Sequence, residues 1–368
     1  MCIFGTRPDA IKMAPVVLEL RAHPDRWNVV TVVTGQHREQ LDQVLRVFGI
    51  APDHDLNIMQ PRQTLAAITT RALNGLDEVM AARKADVVLA QGDTTTTFVA
   101  ALAAFYHQIP FGHVEAGLRT GRMYDPFPEE MNRKLAADLA AFHFAPTEEA
   151  RGHLLREGVP PDAIHLTGNT GIDALLKVAA SEPDIDEPEI ADQIRRPGRL
   201  VLITAHRREN LGEPLADICR AIASLARGFA DVRFVYAMHR NPAVRDIVRR
   251  ELTGLNNVHL VEPPGYAPFV KLMQRATLIL TDSGGIQEEA PSLGVPVLVL
   301  RRTTERPEGV AAGAARLVGT DTARIVAEAE ALLSDDSKLQ GMRVAQNPYG
   351  DGQAAVRIRR VLEAQLNG

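Results

Sequence analysis

From one end to the other, the chain alternates short, β-branched hydrophobic runs with stretches of helical periodicity. After a very short first run, "MCIF", the strand-like segments are "NVVTVVTG" (28–35), "DVVLAQGD" (86–93), "IPFGHVEAG" (109–117), "AFHFAPT" (141–147) and "IHLTGN" (164–169). The pattern then restarts with "RLVLITAHR" (199–207), "VRFVYAMH" (232–239), "NVHLVEPP" (257–264), "ATLILTDSG" (276–284) and "VPVLVLR" (295–301). These runs are apolar nearly throughout instead of alternating, as burial of both sheet faces under helices requires. The expected class is α/β, as two units with parallel sheets. A length of 368 residues also favours two domains over one core. Between strands, "QTLAAITTRALNGLDEVMAARK" (63–84) sets Leu65, Ile68, Ala72, Leu76 and Val79 at helical spacing. "SEPDIDEPEIADQIRRPG" (181–198), acidic and broken by prolines, reads as the connecting loop.

A formal net charge of −5 argues against nucleic-acid binding through a general basic surface. Cys2 and Cys219 are far apart, so neither a disulfide framework nor a zinc site is expected, and a reducing cytosol fits. No apolar stretch reaches membrane-spanning length, and Arg7, Asp9, Lys12 and Glu19 interrupt any signal-like start. The brevity of "MCIF" suggests that the native chain begins a few residues upstream.

Polar residues gather at the ends of the strands: Gly92–Asp93, Glu115, His206–Arg208, His239–Arg240 and Asp282–Ser283. Ligands of open parallel sheets bind outside the carboxyl ends of the strands, so two such units facing one another would line one cleft with these ends. In "FGTRPDAIKMAP" (4–15), Gly5 leads into a helix start with Arg7 and Lys12, a place suited to an anion. The G-x-G-x-x-G dinucleotide spacing is absent. In "QGDTTTT" (91–97) the threonines read as helix caps. Asp93 and Glu115, on neighbouring strand ends, are drawn toward one pocket. Glu129 and Glu130 open a further helix, where acids in a first turn are ordinary. In "LITAHRRENLG" (202–212), Arg208 and Glu209 fit a solvated run, and His206, directly at the strand end, is the functional candidate. Ser283, Gly284 and Gly285 can offer a hydroxyl and backbone N–H groups to a diphosphate.

Taken together, "FGTRPDAIKMAP", "QHREQLDQVL", "QGDTTTT", "GHVEAGLRT", "PFPEEMNR", "TGNTGIDAL", "HRREN", "PFVKLM", "TDSGGIQEEAPSLG" and "TTERPEGV" resemble the non-hydrolysing UDP-N-acetylglucosamine 2-epimerases of bacteria. The likeness runs in order from residue 4 to "NPYGDGQA" (347–354). "RPDAIK" favours this branch over the sugar-hydrolysing relatives, which typically carry an Arg-Ala-Asp-Tyr stretch there. The resemblance implies the GT-B fold, two Rossmann-like domains and a homodimer. It places residues 1–170 with a returning C-terminal helix, 351–368, in one domain and 171–350 in the UDP-binding domain. Departures are Asp9 for the family's usual glutamate, Arg302 where an acid is common, and "PPGYAPF" (263–269) on the uracil side.

The activity so implied is reversible epimerisation at C2 of UDP-GlcNAc to UDP-ManNAc by elimination of UDP to 2-acetamidoglucal and re-addition. No NAD, metal or other cofactor is implied, and the product would supply cell-surface polysaccharide. The resemblance makes Asp93, Glu115 and Glu129 the acid/base set, with Glu130 as a substitute, and gives His206 a catalytic part. Arg7, Lys12 and Arg133, together with His206, would offset negative charge. Three acids beside a diphosphate should push at least one of their pKa values up. Ser283, Gly284 and Gly285 would hold the phosphates, Phe269 would meet the uracil and Glu289 the ribose hydroxyls. Arg306 lies in a family motif near the cleft, and Glu288 has no assigned role beyond a solvated or structural carboxylate. Gln36, His37, Arg62, Gln63 and, more loosely, His239 resemble a second pocket where UDP-GlcNAc acts as activator. A GT-B glycosyltransferase and a non-catalytic UDP-sugar sensor are the alternatives.

Overall fold

The structure, a computed structural model, describes residues 1–35, 38–60, 63–343 and 347–366. It divides into two compact units, Met1–Ala174 with Gly350–Gly368, and Leu175–Tyr349. The first holds a 7-stranded sheet: β1 Cys2–Phe4, β2 Thr31–Val33, β3 His54–Asp55, β4 Val88–Gln91, β5 Phe111–Val114, β6 Phe142–Ala145 and β7 Ile164–Leu166. The second holds a 6-stranded sheet: β8 Leu200–Thr204, β9 Arg233–Ala237, β10 Val258–Val261, β11 Leu278–Thr281, β12 Val297–Val299 and β13 Ala315–Leu317. Every pairing between the described strands is parallel.

Strand order decides where chemistry can sit. The first sheet runs β3-β2-β1-β4-β5-β6-β7 and the second β10-β9-β8-β11-β12-β13. In each, the order reverses once, between β1 and β4 and between β8 and β11. Crossovers leave in opposite directions at such a point, and their loops part to leave a crevice at the carboxyl ends.

Two short strands, β3 and β13, were not apparent in the sequence. "HD" and "ARL" carry too little β-branched apolar character to stand out, and they exist because edge pairing with β2 and β12 recruits them. The helix Leu65–Ala82 buries Ile68, Ala72, Leu76 and Val79 as its spacing predicts, but Leu65 stays exposed, one residue beyond the Thr64 cap. Segment 181–198 is not a loop throughout. Pro188 starts a helix, Pro188–Arg195, whose Ile190, Ala191 and Gln193 are buried. Proline is tolerated at that first position because its missing N–H would have had no helical partner.

The C-terminal helix, Ala354–Leu366, belongs to the first unit. Ile358 and Leu362 are fully buried, and Asp173 accepts from Ala354 N (3.2 Å) and Ala355 N (2.9 Å), capping the helix from across the unit. Arg359 pairs with Glu19 at 2.8 Å.

Inside the first sheet, His113 and His143 are register partners on β5 and β6, both buried. Burial holds the His113 imidazole down at about 3 and that of His143 at about 4. Both rings are therefore neutral in the folded chain, whereas the unfolded chain takes up a proton on each below the ordinary value of 6.5. Their contribution to stability is complete above that value. It falls with decreasing pH by about 1.4 kcal/mol per pH unit for each ring. Urea unfolding between neutral pH and about pH 4.5 is expected to show a slope shallower by about that amount in His143→Asn, which cannot charge. An unchanged slope would mean that His143 is already charged in the fold.

Candidate active site

At the β1/β4 switch of the first unit, Gly5 follows β1 and Thr6 caps the helix Arg7–Arg21. The buried Asp9 carboxylate accepts from Gly5 N (3.0 Å), Thr6 N (2.7 Å) and Ala10 N (3.1 Å), so these three backbone donors are engaged within the unit. Gly5 is needed for packing, since a Cβ there would lie 1.9 Å from Thr34 Oγ1. Asp9, the departure from the family's glutamate, thus closes a capping box. Arg7 remains half-buried at the first helical residue, and Lys12, one turn on, reaches across to Glu115.

Gly92 turns out of β4 at φ +78°, a value that favours glycine, and Asp93 follows. Thr94 caps the next helix by accepting from Thr97 N at 3.2 Å, as the sequence suggested. On the adjacent strand end, Glu115 occupies the left-handed region at φ +63°, uncommon for a residue with a side chain. Such strain persists only where surroundings enforce it. Glu115 is nearly buried, ion-paired with Lys12 and hydrogen-bonded by Gln91 Nε2. Asp93 is ion-paired with Arg133 of the helix Glu129–Leu139, and Asn132 Nδ2 donates to the Asp93 carbonyl at 2.9 Å. Each carboxylate therefore has its own cation. Burial pushes the Asp93 carboxyl above its ordinary value. Arg133 opposes that shift, and the charge of Glu115 adds to it.

Glu129 and Glu130 are told apart by burial. Glu130 is buried, accepts from Thr120 N and Gly121 N (3.1 Å each) and lies 3.4 Å from Arg133. Its carboxylate ties down the loop before this helix. Glu129, at the first helical position, is half-exposed. The structure brings Lys12, Asp93, Glu115 and Arg133 together in one electrostatic group.

The second unit repeats the logic at its β8/β11 switch. His206 and Arg207 follow β8, while Asp282 and Ser283 follow β11. Ser283 is the cap residue of the helix Gly284–Glu289, and its side chain makes no capping bond. A Cβ at Gly284 would lie 3.5 Å from the Arg207 guanidinium, and one at Gly285 would meet nothing within 4 Å among the described residues. Arg207 thus lies beside Gly284, and Gly285 faces open space. The His206 ring stacks on that of His239, with centroids 4.9 Å apart and 11° between planes. Burial lowers the pKa of His206, and the charge of Asp282 opposes that shift.

Glu289 and Phe269 are half-exposed, Phe269 within the helix Tyr266–Arg275. Glu288 is not solvated. It is buried and ion-paired with Arg306, and Asn347 Nδ2 donates to its carbonyl at 2.7 Å. Arg306 is thereby part of a bracket that includes Tyr349, whose hydroxyl donates to the Arg306 carbonyl at 3.1 Å. Arg208 is exposed, but Glu209 is held by the buried Arg301 at 2.7 Å. Of the activator candidates, Gln36, His37 and Arg62 lie outside the described residues. Gln63 accepts from Gln60 N at 3.2 Å. Among the described residues there is no cluster of His, Cys, Asp and Glu able to hold a metal, and no helix is long and apolar enough to cross a membrane.

A family model described as UDP-N-acetylglucosamine 2-epimerase matches residues 19–363. The UDP-N-acetylglucosamine 2-epimerase of Salmonella typhimurium is 54% identical over 369 residues, covering 99% of this chain and 98% of that one. The chain belongs to the UDP-N-acetylglucosamine 2-epimerase family. By that membership it is an isomerase. The epimerase of Bacillus subtilis is 53% identical, covering 97% of this chain and 93% of its own. The crystal structure of the Neisseria meningitidis UDP-GlcNAc 2-epimerase, bound to UDP-GlcNAc, matches with a TM-score of 0.86 at 48% identity over 99% of each chain. The fold class is thus GT-B, with two Rossmann-like units.

Gln91 and Asn132 stand inside the quoted motifs, and Arg207 and Asp282 among the strand-end clusters, but none of the four has a role assigned from the sequence. For Gln91 and Asn132 the reason is their neutrality, which sets them apart from the acids beside them. Asp282 is named with the strand-end clusters, and its full burial is what the structure adds.

Proposed function

We propose that the chain interconverts UDP-GlcNAc and UDP-ManNAc without hydrolysis. One carboxylate removes the C2 proton while the bond from C1 to the β-phosphate oxygen breaks and UDP leaves with the electron pair. The product of this half is 2-acetamidoglucal. UDP re-adds to C1, and a proton returns to C2 on the other face. The C2 hydrogen is not beside a carbonyl, so both proton transfer and leaving-group stabilisation are needed. Asp93, Glu115 and Glu129 serve the proton transfers. Arg7, Lys12 and Arg133 offset charge, with His206 joining them once it is protonated. Ser283, Gly284 and Gly285 hold the diphosphate, Phe269 the uracil and Glu289 the ribose.

The observation that carries this reading is the pair Asp93 and Glu115 on adjacent strand ends, each matched by its own cation, with Asp93 shifted toward the protonated form. A carboxyl pushed toward its protonated form beside a second carboxyl suits exchange of acid and base roles. Incubation with UDP-GlcNAc alone, followed by NMR, is expected to give a mixture of the two UDP-sugars. Free ManNAc with UDP would indicate the hydrolysing reaction instead. An unchanged substrate would point to a sensor, or to a transferase if an added acceptor became glycosylated.

The reading extends to a cytoplasmic homodimer whose product feeds cell-surface polysaccharide. Phe105 and Tyr106, each 60% exposed at the end of the helix Thr95–Tyr106, are apolar surface that a second copy would cover. It also extends to activation by UDP-GlcNAc, involving Gln36, His37, Arg62, Gln63 and His239. The reaction started from UDP-ManNAc is then expected to show a lag that trace UDP-GlcNAc removes. A progress curve linear from the start would count against activation.

A further inference from the structure

Asp282 directly follows β11 at the switch point of the second unit and is fully buried. One carboxylate oxygen, Oδ2, accepts from His206 N (2.9 Å), Arg207 N (2.8 Å) and Asn210 Nδ2 (2.9 Å). Those three bonds hold the loop that follows β8. The other oxygen, Oδ1, is equally buried and has no hydrogen-bond partner among the described residues. A buried carboxylate oxygen without a donor is costly, and natural structures keep few of them. His206 Nδ1 lies 3.9 Å away, a gap that a small rotation of the imidazole closes.

The other face of that ring is already constrained. His206 stacks on His239, whose Nδ1 accepts from Asn241 N at 3.1 Å. The charged and titratable groups facing His206 are thus Asp282, His239 and Arg207. Of these only Asp282 favours a proton on the ring.

The geometry points to Asp282 as the positioning residue of His206: its Oδ1 takes the Nδ1–H, so that Nε2 is the nitrogen presented to the nucleotide sugar. This rests on the reading that His206 acts on the departing diphosphate. With Nδ1–H fixed on a carboxylate, Nε2 of the neutral ring is an acceptor. Once the ring takes a second proton, Nε2–H donates to a phosphate oxygen, and Asp282 is the counter-charge that keeps the imidazolium in place. Arg207, beside Gly284, repels such an imidazolium until the diphosphate lies against both.

Asp282→Asn separates this role from a structural one. The amide keeps one oxygen for the three donors that hold the loop, and places an NH2 where Oδ1 stood. It is expected to lower turnover of UDP-GlcNAc about 100-fold, with KM unchanged within about threefold. The pH at which His206 loses its proton should move down, and the 15N spectrum of the ring should change from the Nδ1–H to the Nε2–H tautomer. His206→Asn and the double variant complete the cycle: if Asp282 works through His206, the double variant is no slower than His206→Asn alone. Loss of activity in His206→Asn with full activity and an unchanged tautomer in Asp282→Asn would overturn the assignment while leaving the role of His206 intact. Full activity in His206→Asn would overturn both. Should Asp282→Asn fail to fold, the tautomer of His206 in the unaltered protein decides: Nδ1–H supports the assignment and Nε2–H overturns it.

Discussion

Asp93→Asn is expected to slow epimerisation by about 1,000-fold, a barrier increase of about 4 kcal/mol, with the affinity for UDP changed by no more than about threefold. The amide is nearly the same shape and can still accept from Arg133, so the pairing that orients the helix Glu129–Leu139 survives in weaker form. What is lost is the ability to hold and release a proton at the end of β4. Burial and the neighbouring Glu115 tune the carboxyl for that task, and an amide cannot be tuned. UDP affinity should hold because the phosphate, ribose and uracil contacts are assigned to the second unit. Turnover followed by NMR and UDP binding followed by calorimetry check the two halves. Retained turnover would move the proton transfers to Glu115 and Glu129, whereas a collapse in UDP affinity would mean that Asp93 shapes the nucleotide site.

Gly117→Ala is expected to destabilise the fold by about 3 kcal/mol or more. Gly117 follows Glu115 by two residues and has φ +91°, a conformation that side chains rarely adopt. A Cβ there would lie 2.3 Å from the carbonyl oxygen of Ala150, a backbone atom in the middle of a helix turn that has no rotamer through which to escape. The Gly117 carbonyl also meets His153 Nδ1 at 2.9 Å, so a shift to relieve the clash breaks a second contact. Equilibrium unfolding in urea gives the value directly. A loss under about 1 kcal/mol would show that this segment yields more easily than its packing implies.

The fold was legible in the sequence because both sheets are covered on both faces. Runs such as "LVLIT" and "LILT" are fully buried and can be read without knowing their partners. The edge strands β3 and β13 could not be read so, since pairing and not composition makes them strands. Residues 181–198 misled because proline marks both a loop and a helix start, and only the burial of Ile190 distinguishes the two. For the site, charge at strand ends identified Asp93, Glu115 and His206, and family likeness assigned their roles. Likeness preferred Glu129 to Glu130 and Glu289 to Glu288, and the structure adds what holds the other acid of each pair: Glu130 is bound to the backbone of its own loop, and Glu288 to Arg306. Nor could charge show that Asp9 would fill the cradle it seemed to leave open, because a carboxylate three residues into a helix can either repel an anion or replace it.

The central claim is that the C2 proton is exchanged during an elimination and re-addition of UDP. The direct measurement is incubation with UDP-GlcNAc in heavy water, without acceptor, followed by NMR of the recovered UDP-sugars. Deuterium is predicted at C2 of the manno product and, as equilibrium is approached, at C2 of the remaining UDP-GlcNAc. A manno product that kept its original hydrogen at C2, or substrate that bound but neither exchanged nor changed, would contradict it.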